Sequence, residues 1–274
     1  VEIAREAFFL DSPRGRRFCI ASRPPGQALG TILYAPPFAE EMNKSRRMAA
    51  LAARAFAARG WLVLQPDLMG CGDSEGELAE ARWQDWLDDL QLAWDWLCAR
   101  AGGIRVVWSL RAGSLLAADW LRASAEAPAL LLWQPVSGGR QHLTQFLRLR
   151  GAADMLAEAD AQASMKAVRA GLERGECVEI AGYTLSPLLA RGMETSAFEL
   201  PAGYISPVVL LEMGAEGRTE LSPALLALRG RLEAAGVAVQ GHVVPGAAFW
   251  QTQEIEAPPA LVDHSLDALN GLRA

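Results

Sequence analysis

The stretch Ile104-Arg105-Val106-Val107-Trp108-Ser109-Leu110-Arg111-Ala112-Gly113, continued by Ser114 to Leu121, decides how this chain is read. Ile104 to Trp108 has the apolar, β-branched character of a short buried strand, and Ser114 to Leu121 reads as helix. Between them lies a tight turn with a small residue two positions either side of its tip. That is the layout of a nucleophile elbow, small-x-nucleophile-x-small. Here Ser109 and Gly113 are the small residues and Arg111 is the tip. A guanidinium keeps its proton at any working pH and cannot attack an acyl carbon. Moving the tip to Ser109 would put Val107 and Arg111 at the flanks, and moving it to Ser114 would put Leu116 at one of them. Both shifts are too bulky. Ser114 would also lie inside the helix and bond a preceding carbonyl.

Working outward, strands and helices alternate. Phe8 to Leu10 and Arg17 to Ala21 read as two antiparallel strands around the turn Asp11 to Gly15. Thr31 to Ala35 is a strand stopped by Pro36-Pro37, and a helix follows from about Lys44 to Arg59. Trp61 to Leu64 is the next buried strand. Ala81 to Ala99 carries Trp83, Trp86, Leu87, Leu90, Trp94 and Leu97 at helical spacing, read as a core-packing face rather than a ligand-stacking one. After the elbow come the strand Ala129 to Trp133 and an irregular helix-rich stretch. Then follow the strand Pro207 to Leu211, a helix from Pro223 to Ala235, the strand Val237 to Val244 and a last helix from Pro259 to Leu269. Such alternation predicts an α/β fold with a mostly parallel central sheet covered by helices on both faces. Residues 1–140 and 197–274 are expected to form the core, and 141–196 a helical cap or lid.

Composition limits the function classes. The chain has 274 residues, 51 % of them apolar, enough for one large core. A formal net charge of -6 argues against nucleic acid as the main partner, because phosphate binding needs a basic surface. The four cysteines and three histidines are scattered and show no metal or redox spacing, so no metal site is expected. No cofactor is expected either: Gly70-x-Gly72 lacks the third glycine of a dinucleotide loop. No apolar run is long enough to span a bilayer, and the segment from Val1 has no secretory apolar core. The expectation is a cytoplasmic protein, with a leader trimmed before Val1 left open.

The order of elements resembles the α/β-hydrolase superfamily over nearly the whole chain. Asp67-Leu68-Met69-Gly70-Cys71-Gly72-Asp73-Ser74 matches that superfamily's D-x-x-G-x-G-x-S loop after the fourth strand. More narrowly, the chain resembles a group of hydrolase-like proteins that accompany the exosortase A system and exopolysaccharide synthesis. The residues carrying this are Pro36 to Arg46, the elbow Ser109 to Gly113, and Phe249 to Glu254.

The resemblance implies a triad in the order nucleophile, acid, histidine. The nucleophile position holds Arg111. The acid position falls in Met213 to Gly217, where Glu216 is the candidate, an exposed loop glutamate being the alternative. The histidine position, P-G-x-x-H in many members, reads Pro245-Gly246-Ala247-Ala248-Phe249, so Phe249 stands where the base would be. His242, within the preceding strand, is expected to face the core or a helix, and His264 to be solvated. The resemblance also implies an oxyanion hole, whose backbone N–H groups would come from Phe38 and Ala112.

Arg111 has two readings. Either it pairs with Glu40, Glu41, Glu212 or Glu216 and fills the substrate's space, or it clamps a carboxylate or phosphate from a ligand. The leading expectation is a degenerate-triad protein that binds a small anionic or acyl-bearing ligand or a protein partner. The rivals are an active esterase or thioesterase using Ser109 or Cys71 with His242, and a scaffold that only packs against another subunit.

Overall fold

The computed structural model describes residues 3–156 and 161–272; for 150–156 and 161 the description is of the backbone alone. Residues 1–2, 157–160 and 273–274 of the expected units lie outside the described residues. The sheet opens with a hairpin, β1 (Ala4–Ser12) and β2 (Gly15–Arg23), turning through Pro13-Arg14 with Gly15 at φ 97°. It continues through β3 (Gly30–Ala35), β4 (Trp61–Pro66), β5 (Ile104–Leu110) and β6 (Ala129–Trp133). An inserted segment follows, comprising α4 (Gly139–Leu156), α5 (Ala161–Glu173), β7 (Val178–Ile180), β8 (Tyr183–Leu185) and α6 (Pro187–Thr195). The sheet resumes with β9 (Val208–Gly214) and β10 (Val239–Pro245).

The eight main strands run in the order β1-β2-β4-β3-β5-β6-β9-β10. From β4 to β10 all pairs are parallel, and only β2 pairs antiparallel to β1 and β4. Strands β3 and β6 are buried along their whole length, which is why they read as unbroken apolar runs rather than alternating ones. Helices α1 (Ala39–Ala58) and α8 (Pro259–Gly271) pack on one face. Helices α2 (Trp83–Cys98), α3 (Gly113–Ala123) and α7 (Pro223–Ala234) pack on the other. The tryptophan stripe of α2 is core, as its spacing predicts: Trp83, Trp86, Trp94 and Leu97 are all buried against the sheet.

Three differences from the sequence reading have local causes. Helix α1 begins at Ala39, five residues before Lys44, because Pro36-Pro37 end the strand and the turn to helix needs only Phe38 as its N-cap. The insertion contains the hairpin β7–β8, whose strands are too short for a two-residue period to register. Its turn is Ala181-Gly182, both at positive φ (49° and 82°), as a tight hairpin turn requires. His264 on α8 is half-buried rather than solvated, because His242, exposed on the edge strand β10, faces that helix with its ring 6.2 Å away.

Candidate functional site

Backbone strain gathers at one end of the sheet. Of the four described non-glycine residues with positive φ, Ala39 (49°), Arg111 (52°) and Gln134 (44°) follow the C-terminal ends of β3, β5 and β6. A left-handed conformation costs an ordinary L-residue roughly 1–2 kcal/mol, and such strain clusters where ligands bind. At Arg111 it is offset by hydrogen bonds on both sides of the peptide. Its N–H donates to the Trp133 carbonyl at 3.0 Å, and its own carbonyl accepts from Ser114 N at 3.0 Å and Ser114 Oγ at 2.7 Å.

The flanking positions explain the small residues. A Cβ on Gly113 would lie 2.2 Å from the Ala35 carbonyl oxygen, so α3 can approach β3 only with glycine there. Ser109 is fully buried, and its hydroxyl has no hydrogen-bond partner. Arg111 thus stands at a strand-to-helix turn with elbow geometry.

Its guanidinium turns toward the start of α1. Arg111 Nε donates to Glu41 Oε1 at 3.0 Å, with side-chain exposures of only 11 % and 15 %. A second nitrogen of the guanidinium reaches Gln145 Oε1 on α4 at 3.5 Å, and the Trp250 ring centre lies 5.6 Å from the guanidinium carbon. His142, also on α4 and buried, places Nε2 3.8 Å from Glu41 Oε2. Burial pushes the Glu41 carboxyl up from its ordinary range, against the attraction of Arg111. Burial, helped by the Arg111 charge, pushes His142 down to about 3, so the imidazole is neutral at neutral pH. The centre of the site is therefore one compensated ion pair beside a neutral histidine.

A cleft of about 270 Å³ adjoins this pair. Its apolar wall is Phe38, Phe146, Leu149 and Trp250; its polar wall includes Glu40, Lys44 and Gln251. Glu40 is held by Lys44 at 3.4 Å and accepts from Tyr183 Oη of β8 at 3.3 Å. Among the described residues, the backbone N–H groups of Phe38 and Ala112 make no hydrogen bond.

The other sequence candidates do not meet at Arg111. Glu216 is exposed on the loop after β9. Glu212 points elsewhere, pairing with Arg218 at 2.9 Å and accepting from Ser222 N at 2.7 Å. Phe249 is fully buried against Trp133, and the aromatic that faces the elbow is its neighbour Trp250. The pair Ser109 with His242 is not assembled. Two strands, β6 and β9, separate β5 from β10, which at about 4.8 Å per strand means roughly 14 Å. Cys71 is buried, and burial together with the charge of Asp67 pushes its thiol up to about 12, so it is not a thiolate nucleophile. His142 and Gln145 escaped the sequence reading. They lie in the least regular segment, and only the fold brings them over the elbow.

A model of the family described as X-Pro dipeptidyl-peptidase (S15 family) matches residues 21–140, the half of the core that holds the elbow. No curated protein matches the chain. Among solved structures, a thermostable carboxyl esterase from Bacillus coagulans is similar at 13 % identity and TM-score 0.64, with both chains covered completely. An alpha-beta serine hydrolase homologue from Coxiella burnetii is similar at 12 % identity and TM-score 0.56, with 97 % of each chain covered. Est1E from Butyrivibrio proteoclasticus is similar at 12 % identity and TM-score 0.60, over 96 % of this chain and 99 % of its own. Sheet order, elbow and neighbours agree: this chain has the α/β-hydrolase fold.

Proposed function

We propose that this chain is a non-hydrolytic binding protein on an α/β-hydrolase scaffold. The observation that carries this reading is the pair at the elbow tip. Arg111 occupies the nucleophile's place and is held by Glu41 from the first turn of α1. With its charge already compensated, Arg111 is a poor clamp for a free anion. The cleft beside it better fits an acyl-bearing ligand, its apolar part against Phe38, Phe146 and Trp250 and its carbonyl toward the unbonded N–H groups of Phe38 and Ala112. Residues 141–196 act as the lid, since α4 supplies His142, Gln145 and Phe146 to the cleft. The resemblance in Pro36 to Arg46 and Phe249 to Glu254 supports a cytoplasmic role beside a protein partner in exosortase-linked surface biogenesis.

A second reading keeps the enzyme. The esterases among its structural neighbours and the two unbonded N–H groups favour an active esterase or thioesterase with displaced residues. The two readings separate in a turnover assay with p-nitrophenyl and acyl-CoA esters. The binding reading expects no turnover above background from the purified chain. Turnover abolished by Ser109→Ala or Ser114→Ala would overturn it.

A further inference from the structure

A second cavity, of about 340 Å³, lies on the face covered by α1 and shares no residue with the elbow cleft. It is a groove between α1 and strands β2, β3 and β4. Its wall is apolar, with Phe18, Ile20 and Met42 prominent. On the hairpin β1–β2, Phe9 is 44 % exposed, with its ring 5.4 Å from that of Phe18 and the Arg16 guanidinium 4.8 Å from its centre.

The mouth carries three arginines in a chain whose net charge is -6. Arg46 is paired with Asp67 at 3.2 Å, and Asp67 is the one carboxylate among the described residues that lines the groove. Arg5, from β1, and Arg47, from α1, have no carboxylate partner among the described residues. In the wall, the buried hydroxyl of Tyr34 lies beside Ser45. Burial pushes that hydroxyl well above the usual phenol range, so it keeps its proton. An apolar trough whose lining includes two guanidiniums with no carboxylate partner is complementary to an amphiphilic anion. The chain of an amphiphile would leave water along the trough, and its head would take charge-assisted hydrogen bonds at the mouth.

We propose that this groove binds an amphiphilic carboxylate, with its acyl chain on Phe18, Ile20 and Met42 and its carboxylate between Arg5 and Arg47. The site is independent of the elbow and of whether the elbow is catalytic. Calorimetric titration of the purified chain with decanoate, below its micellar range, tests it. Saturable one-to-one binding is expected, weakened at least tenfold in Arg5→Gln/Arg47→Gln. That stoichiometry is read in Leu149→Glu, which closes the elbow cleft already proposed for an acyl ligand, and Arg54→Gln, further along α1, should leave it unchanged. The proposal is overturned if decanoate does not bind saturably to Leu149→Glu, if decanol binds it as tightly, or if the arginine pair can be replaced there without loss of binding. It is equally overturned if those arginines hold the protein on phosphatidylglycerol vesicles while free decanoate is not bound.

Discussion

At the scale of single residues, Arg111 and Glu41 hold each other in place. Removing one member of a largely buried pair strands the other. Arg111→Ala should cost about 3 kcal/mol, the low end of the range for such deletions because the pair keeps some exposure. Urea unfolding measures this. Arg111→Met combined with Glu41→Leu should recover most of the loss, since apolar replacement of both partners is commonly neutral or better. If Arg111→Ala unfolds at the same urea concentration as the parent, Glu41 is not held by it.

His142 gives the site a pH signature. Its folded-state pKa is pushed down to about 3 by burial and by Arg111, against about 6.5 in an unfolded chain. Between those values the unfolded chain binds a proton that the folded one does not. This contribution is therefore fully present above about pH 6.5 and is lost as the pH falls toward 3, with a slope approaching 1.4 kcal/mol per unit. His142→Gln should flatten the stability profile by that slope between pH 6 and 4. Glu41, pushed in the opposite direction, remains in both proteins, so the difference between the two profiles reports on His142. Parallel profiles would mean that the imidazole is protonated in the fold.

At the scale of elements, the junction of β5 and α3 depends on Gly113. Gly113→Ala puts a methyl group 2.2 Å from a backbone oxygen that cannot rotate away. It should destabilise the protein by at least the 1–3 kcal/mol typical of overpacking, or leave it insoluble. A melting temperature within a degree of the parent would show that α3 can slide. This requirement is legible in the sequence because small residues at fixed offsets from a strand end have a steric meaning. Buried strands were legible for a similar reason: β6 spans Ala129–Trp133 in both readings, since a strand covered on both faces is a plain apolar run. The hairpin β7–β8 was not, because three-residue strands carry no period. Nor was the choice of Glu41 among four glutamates, which depends on how the first turn of α1 faces the elbow. Nor does the sequence show that Trp250, rather than Phe249, faces the elbow. A loop's periodicity does not say which of two adjacent aromatics turns inward, and only the packing of Phe249 on Trp133 decides it.

At the scale of the whole molecule, two apolar cores sandwich the sheet, and all nine tryptophans are buried in them. Trp108 joins several layers, with ring centres 4.2 Å from Tyr34, 5.2 Å from Phe56 and 4.7 Å from Trp133. Native fluorescence should therefore be blue-shifted and poorly quenched by acrylamide, and should shift red in one step on unfolding. A native emission maximum near that of free tryptophan would contradict the packing. Among the described residues no helix is long and apolar enough to cross a membrane.

The scaffold of the fold is complete down to the strained turn, while the side chain at its tip is one that cannot be acylated. The most direct measurement of that claim is the intact mass of the native protein after treatment with a fluorophosphonate probe. The account predicts an unchanged mass, with no adduct on Ser109, which is buried, or on Ser114, whose hydroxyl is committed to the Arg111 carbonyl. A stoichiometric adduct that disappears in Ser109→Ala or Ser114→Ala, and that a heat-denatured control does not acquire, would contradict it.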